Sequence, residues 1–85
     1  MPEISRFLGI IIYMNWADHP APHFHAKYGE FEITVEIQSG IVTGKFPKRA
    51  LRCVLEWLDI NKDAIQTDWD LAQLRKPLNP IAPLE

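Results

Sequence analysis

The residues best suited to do chemistry lie together near the start of the chain. All three histidines, His19, His23 and His25, fall within seven consecutive positions that directly follow Asp18. Imidazole binds transition metals, and it also takes up and releases protons near neutral pH. His23 and His25 are two residues apart, so both rings leave the same face if this stretch is a β-strand. The cluster therefore suggests either a metal site or an acid–base pair.

As a metal site, the cluster needs a third ligand besides His23 and His25. Asp18, His19 or Glu36 could supply it, and the three histidines are the set that we expect if an ion is bound. The spacing permits such a site without being diagnostic of it. We therefore favour a chain without a cofactor, with a metal ion as the alternative.

As an acid–base pair, His23 and His25 would act on a phosphodiester, as in the metal-independent cleavage of RNA. Glu36 would orient one ring, and Lys27 or Lys45 would stabilise developing negative charge. The weaker candidates for auxiliary proton donors are Tyr13 and Tyr28.

An ordinary solvated face of an antiparallel sheet is the alternative to both kinds of site, since such faces carry His, Lys, Glu and Thr side chains. What favours a built site is the stiff loop in front of the histidines. Pro20 and Pro22 restrict the backbone that carries Asp18 and His19. Trp16, just before this loop, is a further candidate for ligand binding.

A second cluster is basic and lies around the predicted start of a helix. It consists of Lys45, Lys48, Arg49 and Arg52. The helix dipole disfavours cations at this end, so local stability does not account for them. An RNA phosphate or an acidic partner protein would account for them, and a solvated basic turn is the alternative.

The pattern of polar and apolar residues predicts four antiparallel strands, at about 4–16, 23–28, 31–38 and 41–46. A two-residue turn at Gly29-Glu30 would place Phe24 opposite Val35 on an apolar face and His23 opposite Glu36 on a polar one. A second turn at Ser39-Gly40 would place residue 42 opposite residue 37 and residue 45 beside residue 34.

Two helices should follow, at about 47–60 and 63–75, separated near Asn61. Leu51, Val54, Leu55 and Leu58 form an apolar stripe for packing on the sheet. An extended tail would occupy residues 77–85. We thus predict a single α+β domain over residues 1–85, with a four-stranded antiparallel sheet (β-β-β-β-α-α) and two C-terminal helices packed on one face.

Composition limits the classes of protein that this chain can represent. With 85 residues it is one small domain, and a formal charge of −2 argues against bulk electrostatic binding to nucleic acid or membrane. Cys53 is the only cysteine, so no internal disulfide can form. No stretch predicts a signal peptide or a membrane span, and we expect a cytoplasmic protein.

Several motifs resemble a known bacterial family. They are Arg6-Phe7-Leu8-Gly9-Ile10, Tyr13-Met14, Asp18-His19, the block Pro22-His23-Phe24-His25-Ala26-Lys27-Tyr28-Gly29-Glu30, Pro47-x-Arg49-Ala50-Leu51 and Leu55-Glu56-Trp57. Together they cover most of the chain and resemble the domain of unknown function 4160 family. The resemblance implies a small cytoplasmic bacterial protein. It also implies a gene neighbour, a short protein of domain of unknown function 2442, in an arrangement similar to toxin–antitoxin pairs.

The leading hypothesis is therefore a toxin–antitoxin-type component, with metal-independent RNA cleavage by His23 and His25. The first alternative is a non-catalytic module that docks a cognate small protein encoded nearby. The second is a protein that binds a metal through His-x-His. Neither the RNA substrate nor the oligomeric state follows from the sequence.

Overall fold

Five antiparallel strands in chain order form one sheet in the computed structural model, which describes residues 2–85. The strands are β1 (Glu3–Phe7), β2 (Ile10–Tyr13), β3 (His23–Tyr28), β4 (Phe31–Glu36) and β5 (Val42–Lys45). One helix, α1 (Lys48–Gln73), follows them. The chain is thus α+β, but the predicted four strands and two helices are wrong.

The predicted strand at 4–16 is in fact a hairpin. Leu8 and Gly9 both have positive φ, 53° and 79°, and form the two-residue turn between β1 and β2. Such turns usually carry Asn, Asp or Gly. The prediction failed because Leu8 is apolar and continues the apolar run, so no polar residue marks the reversal.

The register predicted for the second hairpin is confirmed. His23 pairs with Glu36, Phe24 with Val35 and the remaining residues accordingly, up to the pair Tyr28–Phe31. Gly29 supplies the positive φ, 57°, that the two-residue turn requires. Phe24 and Val35 are fully buried, so the strict alternation of apolar and polar residues identified the core face correctly.

The register predicted for the last strand is wrong by two residues. Val42 lies opposite Val35 rather than residue 37, and Lys45 lies opposite Glu32 rather than Thr34. The connection is longer than two residues, because the N–H of Glu36 donates to the carbonyl of Ile41 and the N–H of Gly40 donates to the carbonyl of Glu36. An even shift keeps each side chain on its predicted face, so the pattern could not reveal it.

A single helix replaces the predicted pair. Asn61, the predicted break, has non-helical angles (φ −116°, ψ 18°) and kinks the helix without ending it. Its side-chain amide donates to the carbonyl of Trp57 at 3.0 Å, which satisfies a backbone acceptor at the kink. Residues 48–73 therefore form one helix that bends at Asn61.

The core lies between the helix and one face of the sheet. Val54, Trp57 and Ile65 of α1 are fully buried against Ile12 and Phe24 of the sheet. The extended tail closes one edge of this layer, since the N–H of Ile81 donates to the carbonyl of Ile4 in β1 and the indole of Trp57 donates to the carbonyl of Ala82. Within residues 2–85, no helix has the length and apolar character needed to cross a bilayer.

Candidate functional site

His23 and His25 leave the sheet on the face opposite the core, as their alternation with buried Phe24 and Ala26 requires. Both rings are only partly accessible, with 15% and 13% of their side-chain surfaces exposed. The ring of Tyr13 on the neighbouring strand stacks on His25, with centroids 4.7 Å apart. These contacts hold the ring of His25 in one orientation.

Asp18 brings a carboxylate to the two imidazoles. Its Oδ2 lies 3.0 Å from Nε2 of His23 and 3.3 Å from Nε2 of His25. Its other oxygen, Oδ1, accepts the backbone N–H of His19 at 2.8 Å. One carboxylate oxygen is thus positioned between two imidazole nitrogens.

The loop that carries Asp18 is attached to the end of α1 and the residues just after it. The N–H of Ala17 donates to the carbonyl of Ala72, and the side-chain amide of Gln73 donates to the carbonyl of Asp18. The indole of Trp16 donates to the carbonyl of Lys76. Trp69, one turn earlier on the helix, has its ring 5.1 Å from that of His23. Residues far apart in sequence therefore determine where Asp18 lies.

The hydrogen bond of His23 to Ala21 determines which of its ring nitrogens carries the proton when the ring is neutral. Its Nδ1 lies 2.8 Å from the carbonyl oxygen of Ala21, which can only accept, so Nδ1 carries a proton. A neutral His23 then presents the lone pair of Nε2 to the carboxylate of Asp18. Two lone pairs at 3.0 Å repel, so this arrangement requires either a proton or a metal ion between the two atoms.

His25 shows a related feature on its other side. Its Nδ1 is buried and has no hydrogen-bond partner within residues 2–85, and the nearest carboxylate oxygen, Oε2 of Glu32, is 3.9 Å away. The hydroxyl of Tyr13 donates to the same oxygen of Glu32 at 2.6 Å. A ring proton on Nδ1 would face Glu32 and leave Nε2 free as a ligand. Metal-binding histidines commonly donate this proton to a carboxylate, and Glu32 lies on that side of the ring but beyond hydrogen-bond distance.

The electrostatics agree with an ionised carboxylate at the centre of the site. Burial acts to raise the pKa of Asp18, but the hydrogen bond from the backbone N–H of His19 and the interactions with His25 and His23 outweigh it and lower that pKa. Burial, together with the hydrogen bond to Glu32, raises the pKa of Tyr13 to about 12. Tyr13 is therefore a neutral hydrogen-bond donor at neutral pH.

The separations of the three candidate ligand atoms suit a single ion. One ring nitrogen from each of His23 and His25 and one carboxylate oxygen of Asp18 lie within 4.8 Å of one another. An ion about 2.05 Å from each ligand sets edges of about 2.9 Å in an octahedron and about 3.3 Å in a tetrahedron. The separations of 3.0 and 3.3 Å between Oδ2 of Asp18 and Nε2 of the two rings fall in this range.

Asn15 lies at the same site. Its side-chain amide is 3.4 Å from Nε2 of His25. Because amide oxygen and nitrogen are interchanged by a simple rotation, Asn15 can present an oxygen there as well as a donor. Three protein ligands with room for a fourth group are typical of metal centres that bind water or a substrate.

The other residues predicted to be catalytic do not join this cluster. Glu36 is the strand partner of His23, but its carboxylate accepts the hydroxyl of Ser39. Lys27 pairs with Glu32 and is exposed. His19 has 92% of its side chain exposed, and its Nε2 is 3.8 Å from Oδ1 of Asp18. The third ligand that the geometry offers is thus Asp18 rather than His19.

The predicted binding residues divide into two groups. Trp16 lies just before Asp18 in the loop and donates its indole N–H to the carbonyl of Lys76, whereas Arg49 lines a groove with Tyr28 at the opposite end of β3 from His23. His23 and Tyr28 are the first and last residues of that strand, about 17 Å apart. The other predicted cations lie on elements next to Arg49 in the chain. Lys48 and Arg52 are in the first turns of α1, and Lys45 is the last residue of β5.

Three contributors to the site were not predicted in these roles. They are Glu32, Asn15 and Trp69. Tyr13 was considered only as a proton donor, and its position against His25 depends on pairing β2 with β3, where Tyr13 and His25 are partners. Recognising the turn at Leu8 and Gly9 would have made β2 a separate strand, and a tyrosine next to the histidines would then have been expected.

Comparison with known proteins gives one result. A family model described as a domain of unknown function (DUF4160) matches residues 9–70, a stretch that contains Asp18, His23 and His25. The family resemblance seen in the sequence motifs is thereby confirmed. Searches of curated proteins and of solved structures gave no significant match.

Proposed function

Because the chain belongs to the DUF4160 family, whose description names no activity, we propose its function from the site alone: it binds a divalent transition metal through Asp18, His23 and His25. The observation that carries the proposal is the orientation of both Nε2 atoms towards one oxygen of Asp18, at 3.0 and 3.3 Å. Two imidazoles and one carboxylate suit ions such as Zn²⁺ or Fe²⁺.

The surroundings of the ligands support a single metal ion. A neutral His25 that donates from Nε2 to Asp18 would have an unprotonated Nδ1 facing the carboxylate of Glu32, and protonation of both rings would place two cations, with centroids 5.2 Å apart, against the single carboxylate of Asp18. With a metal on Nε2, Nδ1 carries a proton and is attracted to Glu32. The same logic applies to His23, whose Nδ1 already donates to a carbonyl.

The centre is suited to polarise a bound water or substrate oxygen. Three protein ligands would leave at least one coordination position for a water molecule or a substrate oxygen. The metal would supply Lewis acidity, and the protein would supply the orientation of its ligands.

The test is a metal titration of the full chain, purified without an affinity tag and first treated with a chelator. Co²⁺ and Zn²⁺ should bind with a stoichiometry of about one, and Co²⁺ should give the visible absorption of a site with nitrogen ligands. Asp18→Ala, His23→Ala and His25→Ala should each weaken binding by about 100-fold or more, because each removes a ligand.

The third histidine provides a matched control. His19→Ala should leave affinity and absorption unchanged, since its ring is exposed and outside the ligand set. Absence of stoichiometric binding by the wild-type protein would refute the proposal. An equal loss in His19→Ala would show that the histidines bind metal without the proposed geometry.

The wider hypothesis of a cytoplasmic toxin–antitoxin-type component, with RNA as substrate and a cognate small protein as partner, remains a proposal that the family resemblance supports. The geometry supports metal-independent cleavage less well, because the Nε2 atoms of both histidines are directed at the carboxylate of Asp18. Toxicity on induced expression that is relieved by the cognate neighbour would support the hypothesis. Toxicity that survives His23→Ala with His25→Ala would remove the histidines from it.

A further inference from the structure

A second surface lies at the opposite end of the sheet from the histidines. It is a groove of about 210 Å³ between the β1–β2 turn, the end of β3 and the first turns of α1. Leu8, Ile10 and Tyr28 line one side, and Pro47, Arg49 and Cys53 line the other. Apart from Arg49, these side chains offer mainly carbon or aromatic surface.

Leu8 is the residue that points to a ligand for this groove. It has 68% of its surface exposed and a φ of 53°, in the left-handed region. Exposure gives a leucine no burial energy, and the left-handed conformation costs it about 1 kcal/mol or more relative to glycine. Phe31, in the adjacent hairpin, is also 46% exposed. Folding stability therefore does not account for a leucine at position 8.

The charges beside the groove indicate what kind of ligand would fit. Lys48, Arg49 and Arg52 are exposed on the first turns of α1, and that helix has no acidic residue in its first turn. The ion pairs described for residues 2–85 involve Arg6 and the histidines and none of these three cations. The groove thus combines an apolar floor with one basic rim.

We propose that this groove docks a segment of another protein that carries large apolar side chains flanked by carboxylates. The apolar side chains would cover Leu8 and Tyr28, and the carboxylates would pair with Arg49 and Arg52. Charge complementarity selects an acidic segment over a neutral one. An RNA fits less well, because the floor offers an aliphatic leucine and the cations lie on one side only. The proposal does not depend on the metal centre, which lies at the other end of β3.

The test measures fluorescence polarisation of a short labelled peptide that has a Leu-Phe pair between flanking Asp and Glu residues, titrated with the full chain. Three further probes are matched to it. One has Asn and Gln in place of the acids, one has Ser in place of the apolar pair, and one is a short single-stranded RNA. The acidic apolar peptide should bind at least about tenfold more tightly than each of the other three.

The variants test both parts of the groove. Arg49→Glu with Arg52→Glu should weaken peptide binding by about tenfold or more, whereas Arg75→Glu with Lys76→Glu, a matched reversal near the other end of the helix, should not. Leu8→Asn should weaken binding as well. Asparagine tolerates a positive φ, so this variant removes the apolar side chain while the turn is kept, and circular dichroism checks its folding.

Four results would overturn the proposal, of which three concern the probes. They are failure of the acidic apolar peptide to bind at millimolar concentration, equal binding of the neutral peptide, and tighter binding of the RNA. The fourth is an equal loss of peptide affinity in the Arg75→Glu, Lys76→Glu control, because the loss would then depend only on the net charge of the protein. The metal titration is read separately, so either proposal can fail without the other.

Discussion

The Nδ1 atom of His23 lies 2.8 Å from the carbonyl oxygen of Ala21, and this hydrogen bond turns Nε2 of the ring towards Asp18. The acceptor belongs to the proline-stiffened loop, two residues before the histidine. The same loop therefore supplies the carboxylate and orients one of the two imidazoles. Such outer contacts tune how strongly a histidine binds a metal.

The contact of Glu32 with His25 can be tested by a conservative substitution. Glu32→Gln should weaken Zn²⁺ binding by about 10-fold to 100-fold, because the neutral amide no longer attracts a proton on Nδ1 of His25. Glu36→Gln is the matched control, since Glu36 lies beside His23 in the sheet but hydrogen-bonds to Ser39. Calorimetric titration measures both affinities. Equal losses in the two variants would show that Glu32 acts only through net charge.

Asp68 predicts a pH-dependent contribution to stability. Asp68 lies on α1 and is fully buried, and its Oδ2 has no hydrogen-bond partner within residues 2–85. Burial raises the pKa of its carboxyl, and the hydrogen bond from the N–H of Asn79 opposes this only partly. A folded pKa above the unfolded value, about 3.9, means that the folded state binds more protons between the two values. The free energy of unfolding contributed by Asp68 therefore falls as the pH rises above about 4.

Asp68→Asn removes this titration. Relative to wild type, the variant should gain stability as the pH rises from about 4, and the difference should become constant above the folded pKa. Urea unfolding at a series of pH values measures it. Asp70→Asn, an exposed substitution on the same helix, should keep the wild-type slope. If Asp68→Asn also keeps that slope, the proton uptake assigned to Asp68 is wrong.

Gly44 in β5 should be the glycine least tolerant of alanine. A Cβ at this position would lie 2.6 Å from the carbonyl oxygen of Glu32, and the backbone has a φ of 109°. Overpacking and strain together should lower the free energy of unfolding by roughly 3 kcal/mol. Urea unfolding curves measure the change.

Gly29→Ala provides the comparison for Gly44→Ala. A Cβ at Gly29 meets nothing within 4 Å, and only the positive φ of 57° opposes the substitution. Its cost should be about 1 kcal/mol. A smaller cost for Gly44→Ala than for Gly29→Ala would mean that β5 shifts freely against β4.

Local patterns predicted the central hairpin well. Strict alternation between His23 and Glu36, with Gly29 at the turn, was enough to assign every pair in β3 and β4. A register slip of one residue would have moved polar side chains into the core, so the energy difference between registers is large. The prediction was correct where each residue's polarity matches its face.

The predictions were wrong where the polarity of the residues does not show where the chain turns or how two strands are aligned. The apolar Leu8 concealed the turn between β1 and β2, and the even shift of β5 preserved the faces of its side chains. Asn61 marked a kink in the helix, but the hydrogen bond from its side chain to Trp57 allows the helix to continue.

The sequence by itself determined that His23 and His25 share a polar face, since side chains alternate along any strand. The tertiary structure decided the third member of the cluster. Asp18 reaches Nε2 of both rings because its loop is held by backbone and side-chain hydrogen bonds to residues 72, 73 and 76. These contacts join segments more than fifty residues apart in sequence, and they form only when the end of the helix packs against the loop that carries Asp18.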